Sequence, residues 1–169
     1  MAEETKEEAV DPLEYAPIKD VISQFDGEWQ DATAAIKKWD EKKAKLDEIT
    51  AACSNVKIKA VNTDSIAAFL KKECSNTNVN IAMAAIIAAT AVSTGMKKDF
   101  ASGVKILLST IFLKYKEKRP LILQEIDKFA AMTTNCTNLE ELRDEFVPLI
   151  TNIAPGVKNG TIKFVEMAS

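Results

Sequence analysis

From residue 28 onward the apolar positions recur at three- and four-residue spacing, the period that lines up one face of an α-helix. No stretch alternates apolar and polar residues in the manner of a strand. The helical segments come in pairs. The first pair is predicted over 28–37 and 40–53, joined at Lys38-Trp39, and the second over 63–74 and 78–94, joined at Ser75-Asn76-Thr77. The third spans 98–115 and 120–133, joined at Lys116-Glu117-Lys118-Arg119, and the fourth spans 138–153 and 155–168. Start and stop signals agree with these limits. Gly95 suits a left-handed helix terminator, Pro120 and Pro155 suit first-turn positions, and Asn138 with Glu141 reads as a capping box. Asn159-Gly160 falls early in the last predicted helix, where glycine weakens a helix by about 1 kcal/mol. Ahead of the pairs a short helix is expected over 18–25, where Ile18, Val21, Ile22 and Phe25 share one spacing before Asp26-Gly27 breaks it. The inward faces supply a predicted core of Leu46, Ile49, Ile66, Phe69, Leu70, Ile86, Ile87, Leu107, Leu108, Ile111, Ile126, Phe129, Phe146 and Leu149.

The breaks inside the pairs fall near 39, 76, 118 and 155, so successive breaks are 37, 42 and 37 residues apart. Helix pairs recurring at about 40 residues are the mark of HEAT-type repeats, in which one hairpin buries its apolar face only against a stacked neighbour. The expected fold is therefore all-α, an alpha-alpha superhelix of about four HEAT-like helical hairpins. It divides into a disordered acidic tail at 1–11, an N-terminal extension at 12–27 and the repeat domain at 28–169. In such a solenoid the links between pairs lie on one edge, and the four breaks within pairs line the other as a rim.

Charge and composition narrow what that rim can do. The net charge of −3 is uneven, because residues 1–14 hold six acids against Lys6, leaving about +2 for the rest. A pI near 5.2 argues against a nucleic-acid partner, which needs a dominant basic field. The chain has no histidine, which removes the commonest general acid–base and the commonest zinc ligand. Cys53, Cys74 and Cys136 are too scattered for a metal or redox pair and read as buried small hydrophobes of a reducing compartment. No metal or cofactor is expected. The acidic N-terminus lacks the apolar core of a secretory signal, so a cytosolic location is expected. The apolar run 81–92 falls short of the roughly 20 residues that span a bilayer, so no membrane contact is expected either.

Along the rim the sequence places Trp39 beside Lys37, Lys38, Lys42 and Lys43, then Ser75-Asn76-Thr77-Asn78-Val79. Lys114, Lys116, Lys118 and Arg119 follow, and Pro155 with Lys158 closes the series. An amphipathic ring among repeated cations is the composition of a hot spot for an acidic protein. The same residues also fit a plainer account, in which Trp39 packs at a helix start and the lysines are merely solvated.

Four stretches carry a resemblance to a known family: Ile36-Lys37-Lys38-Trp39-Asp40-Glu41-Lys42-Lys43, Asn76-Thr77-Asn78-Val79, Phe112 through Pro120, and Pro155-Gly156-Val157-Lys158. Between Trp29 and Val165 the chain resembles the first four repeats of a TOG domain, the HEAT-like tubulin-binding domain of the microtubule polymerase family, and is most like a second TOG domain. The resemblance implies a rim that docks on αβ-tubulin through Trp39, then Thr77, Asn78 and Val79, then Lys116, Lys118 and Arg119, then Lys158. It implies a microtubule-associated protein that regulates microtubule dynamics, acts at microtubule ends, centrosome or spindle, and is not an enzyme.

The alternative is a HEAT-type scaffold for another acidic protein partner. An enzymatic reading finds little, since Glu140 and Glu141 sit on a predicted solvated face with no nucleophile or Gly-rich loop nearby. The last predicted helix keeps Ile162, Phe164, Val165 and Met167, more apolar bulk than one stripe needs. Either the chain is the front of a longer domain, or this end self-associates or meets a partner.

Overall fold

The computed structural model describes residues 15–168, so the acidic tail at 1–11 lies outside the described residues. Eight α-helices form among them. They are α1 (Glu28–Ala34), α2 (Trp39–Ala52), α3 (Asp64–Cys74), α4 (Val79–Met96), α5 (Ala101–Leu113), α6 (Pro120–Cys136), α7 (Leu139–Ile150) and α8 (Pro155–Ala168). Consecutive helices pair as hairpins. Across hairpins α3 packs on α5 and α5 on α7, while α2 packs on α4 and α4 on α6. First helices thus stack in one layer and second helices in another, the two-layer superhelix that a period of about 40 residues implies.

The core runs between the layers. All of the predicted core positions are buried except Ile87, which is only half-buried on the outer side of α4, while its neighbours Ile86 and Ala88 are fully enclosed. Helix α4 is apolar nearly all round because α2, α3 and α6 surround it. The continuous helical stretch Val79–Lys116, longer than the run 81–92 suggested, is long and apolar enough by composition to cross a membrane. More than half of its apolar window is buried by the other helices.

Three local expectations are corrected. A strand pair forms where none was expected: Ile18–Lys19 (β1) lies parallel to Lys57–Ile58 (β2), with Ile18 opposite Lys57. Its backbone bonds include Lys57 N–H to the Pro17 carbonyl at 3.0 Å and Lys59 N–H to the Lys19 carbonyl at 2.8 Å. Two residues are too few to leave a period in the sequence. The expected helix over 18–25 shrinks accordingly to a 3-10 turn at Ile22–Phe25, with Ile18 exposed on the strand. Gly95 does not terminate α4. It lies inside the helix, where a Cβ would come within 2.6 Å of the Ile58 side chain, and Lys97 takes the positive φ of 51° at the helix end. The glycine is there for close approach of β2, not for chain reversal.

The links between hairpins gather on one edge. β2 meets α4 at Gly95, and the Cys136 thiol reaches the Ser93 carbonyl at 3.6 Å. The breaks inside the hairpins lie on the other edge.

Candidate protein-interaction rim

Contacts between successive turns tie that second edge together. Lys42, in the first turn of α2, reaches the Glu73 carboxylate at the end of α3 at 3.4 Å. Lys114 donates to the Asn76 carbonyl at 3.4 Å, joining the third turn to the second. The fourth turn meets the third through glycine: a Cβ on Gly156 would stand 2.5 Å from the Tyr115 carbonyl oxygen, and one on Gly160 2.6 Å from the Tyr115 ring. Gly160 is unfavourable by helix propensity, yet only glycine lets α8 lie this close to Tyr115.

Tyr115 is itself fixed. Its ring packs edge-on to Phe112 at 5.3 Å, and its hydroxyl donates to Asp127 Oδ1 at 2.9 Å. Burial, with the Asp127 carboxylate beside it, pushes the phenol well above its ordinary range. Gly156→Ala is therefore expected to destabilise the fold. Helix propensity favours alanine by about 1 kcal/mol, but overpacking against a backbone oxygen costs roughly 1–3 kcal/mol. A lowered thermal midpoint checks it; a raised one would show that α8 can lift off freely.

The turns share one backbone device. Lys38, Asn78 and Arg119, the N-caps of α2, α4 and α6, all have φ between −77° and −79° and ψ between 114° and 125°. The residue after each cap opens the second helix, which puts Trp39, Val79 and Pro120 at equivalent places. Pro120 fits there because a first-turn N–H needs no intrahelical partner.

Of the residues the resemblance singles out, Trp39 is 49% exposed at the rim. Thr77, Lys116, Lys118, Arg119 and Lys158 are exposed or partly so, and Asn78 is half-buried. Asn78 is committed to capping, its Oδ1 accepting from Asn80 N–H at 2.9 Å while its own N–H donates to Asn76 Oδ1 at 2.8 Å. Val79 is partly buried and packs against the core. Among the described residues no ion pair engages Lys116, Lys118 or Arg119. Of the lysines beside Trp39, Lys38 is exposed with Glu41 3.9 Å away, whereas Lys42 turns inward to Glu73 and is a structural cation.

Burial pushes Cys53 up to about 12 and Cys136 up to about 11 and raises Cys74 further, so none of the three thiols supplies a thiolate near neutrality. Trp29, the other tryptophan, is not a rim residue: it packs edge-on against Phe25 at 5.0 Å and Phe69 at 5.5 Å, and its indole N–H donates to Glu48.

No protein-family model matches the chain. It is similar to Centrosomal protein 224 of Dictyostelium discoideum, 23% identical over 160 residues that cover 94% of this chain and 8% of that protein. The curated relatives it matches are much longer: the chain spans 8% of that protein and 17% of phosphoprotein p93 of Schizosaccharomyces pombe. Among solved structures, it superimposes with a TM-score of 0.81 and 22% identity on one described as the structural basis of microtubule plus-end tracking by XMAP215, CLIP-170 and EB1, covering 94% of this chain and 65% of that one. A second, described as the basis of tubulin recruitment and assembly by microtubule polymerases with Tumor Overexpressed Gene (TOG) domain arrays, gives a TM-score of 0.77 at 20% identity over 91% of this chain and 32% of that one. The fold of this chain is the TOG-domain fold found in those polymerases.

Proposed function

We propose that the chain is the tubulin-binding module of a microtubule-associated protein, docking its rim of intra-repeat turns on αβ-tubulin and so regulating microtubule dynamics. The observation that carries this reading is the half-exposed Trp39 on a rim whose four turns are tied edge to edge and whose third turn presents cations with no ion pair among the described residues. A half-exposed aromatic supplies an anchor that docking desolvates, and flanking cations steer an acidic partner. The likeness to the structure described as the basis of tubulin recruitment gives the reading its partner, since a fold this general can serve many proteins. The work is recognition without catalysis, at microtubule ends, centrosome or spindle.

The test is size-exclusion co-elution with αβ-tubulin at low and moderate salt. Co-elution that weakens with salt supports the reading. Absence of co-elution at either salt leaves the alternative, a HEAT-type scaffold for another acidic protein.

Reversing Lys116, Lys118 and Arg119 to glutamate is expected to slow association with tubulin by roughly tenfold or more at low salt and much less at high salt. None of these side chains is buried, so the thermal midpoint should barely move. Association rates that are unchanged at low salt would remove the third turn from the interface.

A further inference from the structure

The second and fourth turns are built alike, although their sequences share little. In the second, Ser75 N–H bonds the Lys71 carbonyl, Asn76 N–H bonds Glu73, and Ala82 N–H returns to Asn78. In the fourth, Thr151 N–H bonds Val147, Asn152 N–H bonds Leu149, and Lys158 N–H returns to Ala154. An asparagine closes both: Asn76 Oδ1 accepts from Asn78 N–H at 2.8 Å, and Asn152 Oδ1 accepts from Ala154 N–H at 2.9 Å. Such side-chain closures fix the residue between them. The correspondence runs residue by residue, and it sets Ile153 opposite Thr77.

The same place, one residue before the helix cap, holds Lys37 in the first turn and Lys118 in the third. All four side chains are exposed, and Ile153 is 99% so. Lys158 corresponds to Ala82 of the second turn, and while Ala82 is buried, Lys158 is exposed. An isoleucine held clear of the protein on a rigid turn gains nothing for the fold from its apolar surface.

We propose that Ile153 is a tubulin-contacting residue of the fourth turn, an apolar anchor at the opposite end of the rim from Trp39. This rests on the tubulin-binding reading given above. The partner surface it fits is an apolar patch bordered by the acidic groups that the third-turn cations meet. A turn whose backbone is already held by hydrogen bonds before binding loses little backbone freedom when it docks.

The experiment compares tubulin affinity for Ile153→Ser and a control, Val147→Ser, which removes an exposed apolar side chain of α7 while keeping the backbone carbonyl through which Val147 takes part in the turn. Ile153→Ser is expected to weaken binding about tenfold with an unchanged thermal midpoint, and Val147→Ser by less than about threefold. Affinity of Ile153→Ser equal to wild type, in a preparation where Trp39→Glu does abolish binding, overturns the assignment and leaves the tubulin reading intact. An equal loss for Val147→Ser also overturns it, by showing that the effect belongs to no single turn. A wild-type chain that fails to bind tubulin takes down both readings together.

Discussion

Replacing Trp39 by glutamate is expected to abolish measurable tubulin binding while the domain stays folded. Half of the indole faces solvent, so the fold depends on only part of its area, and losing that part costs about 1–2 kcal/mol. Trp39 is the first residue of α2, where an acidic side chain faces the positive end of the helix dipole and recovers a few tenths of a kcal/mol. For binding, a desolvated aromatic anchor is worth about 2–4 kcal/mol, a loss of roughly thirty-fold to several-hundred-fold, and the new carboxylate adds repulsion from an acidic partner. Circular dichroism and a thermal midpoint, measured beside tubulin co-elution, separate the two effects. A variant that unfolds would make Trp39 a packing residue, and a folded variant that binds as before would take the first turn out of the interface.

The hairpin plan is legible in the sequence because it rests on signals repeated many times over. Ile66, Phe69 and Leu70 in α3 and Leu107, Leu108 and Ile111 in α5 each mark a buried face at helical spacing, and the contacts between these helices follow from it. The turns are legible for a related reason, since a break recurring near every 40 residues fixes which edge each turn lies on. Features with no period are not. The strand pair β1–β2 is two residues long on each side, and Gly95, Gly156 and Gly160 serve close packing against residues distant in sequence. A glycine written in the sequence does not say whether it turns the chain or admits a neighbour.

The candidate site is legible in outline and not in detail, on the same grounds. Trp39, Thr77 and the third-turn cations stand where a rim of turns requires them. Lys42 looks identical to Lys38 in sequence, yet its place within α2 turns it from solvent to the seam between hairpins. Val79 is drawn toward the core by its place at the start of α4. Ile153 carries no signal of its own, because an isoleucine in an apolar-rich chain reads as core, and only its exposure in the turn distinguishes it.

The seam between the first two turns carries the second large expectation. The Glu73 carboxylate is 2% exposed, pairs with Lys42 through one oxygen, and has no hydrogen-bond partner for the other. A buried pair that is only half satisfied stabilises little, because the desolvation of both charges offsets their attraction. Breaking it is another matter. Glu73→Ala leaves the Lys42 ammonium, on a side chain only 14% exposed, without its counter-charge, and is expected to cost about 3 kcal/mol, the low end for buried pairs because Lys42 keeps some contact with water. Replacing both residues by methionine removes both charges and fills the same seam, so Lys42→Met with Glu73→Met should be neutral or stabilising by about 1 kcal/mol. Denaturant midpoints of the single and double variants check this. If the double variant loses as much as the single, the pair is a net source of stability and the desolvation argument fails. The double variant also tests why such a pair is retained, since the carbonyl of Glu73 accepts the Asn76 N–H that starts the second turn, directly beside the pair. A stable double variant whose Asn78 and Val79 amides exchange faster than wild type would show that the ion pair fixes the register of the rim rather than the stability of the fold.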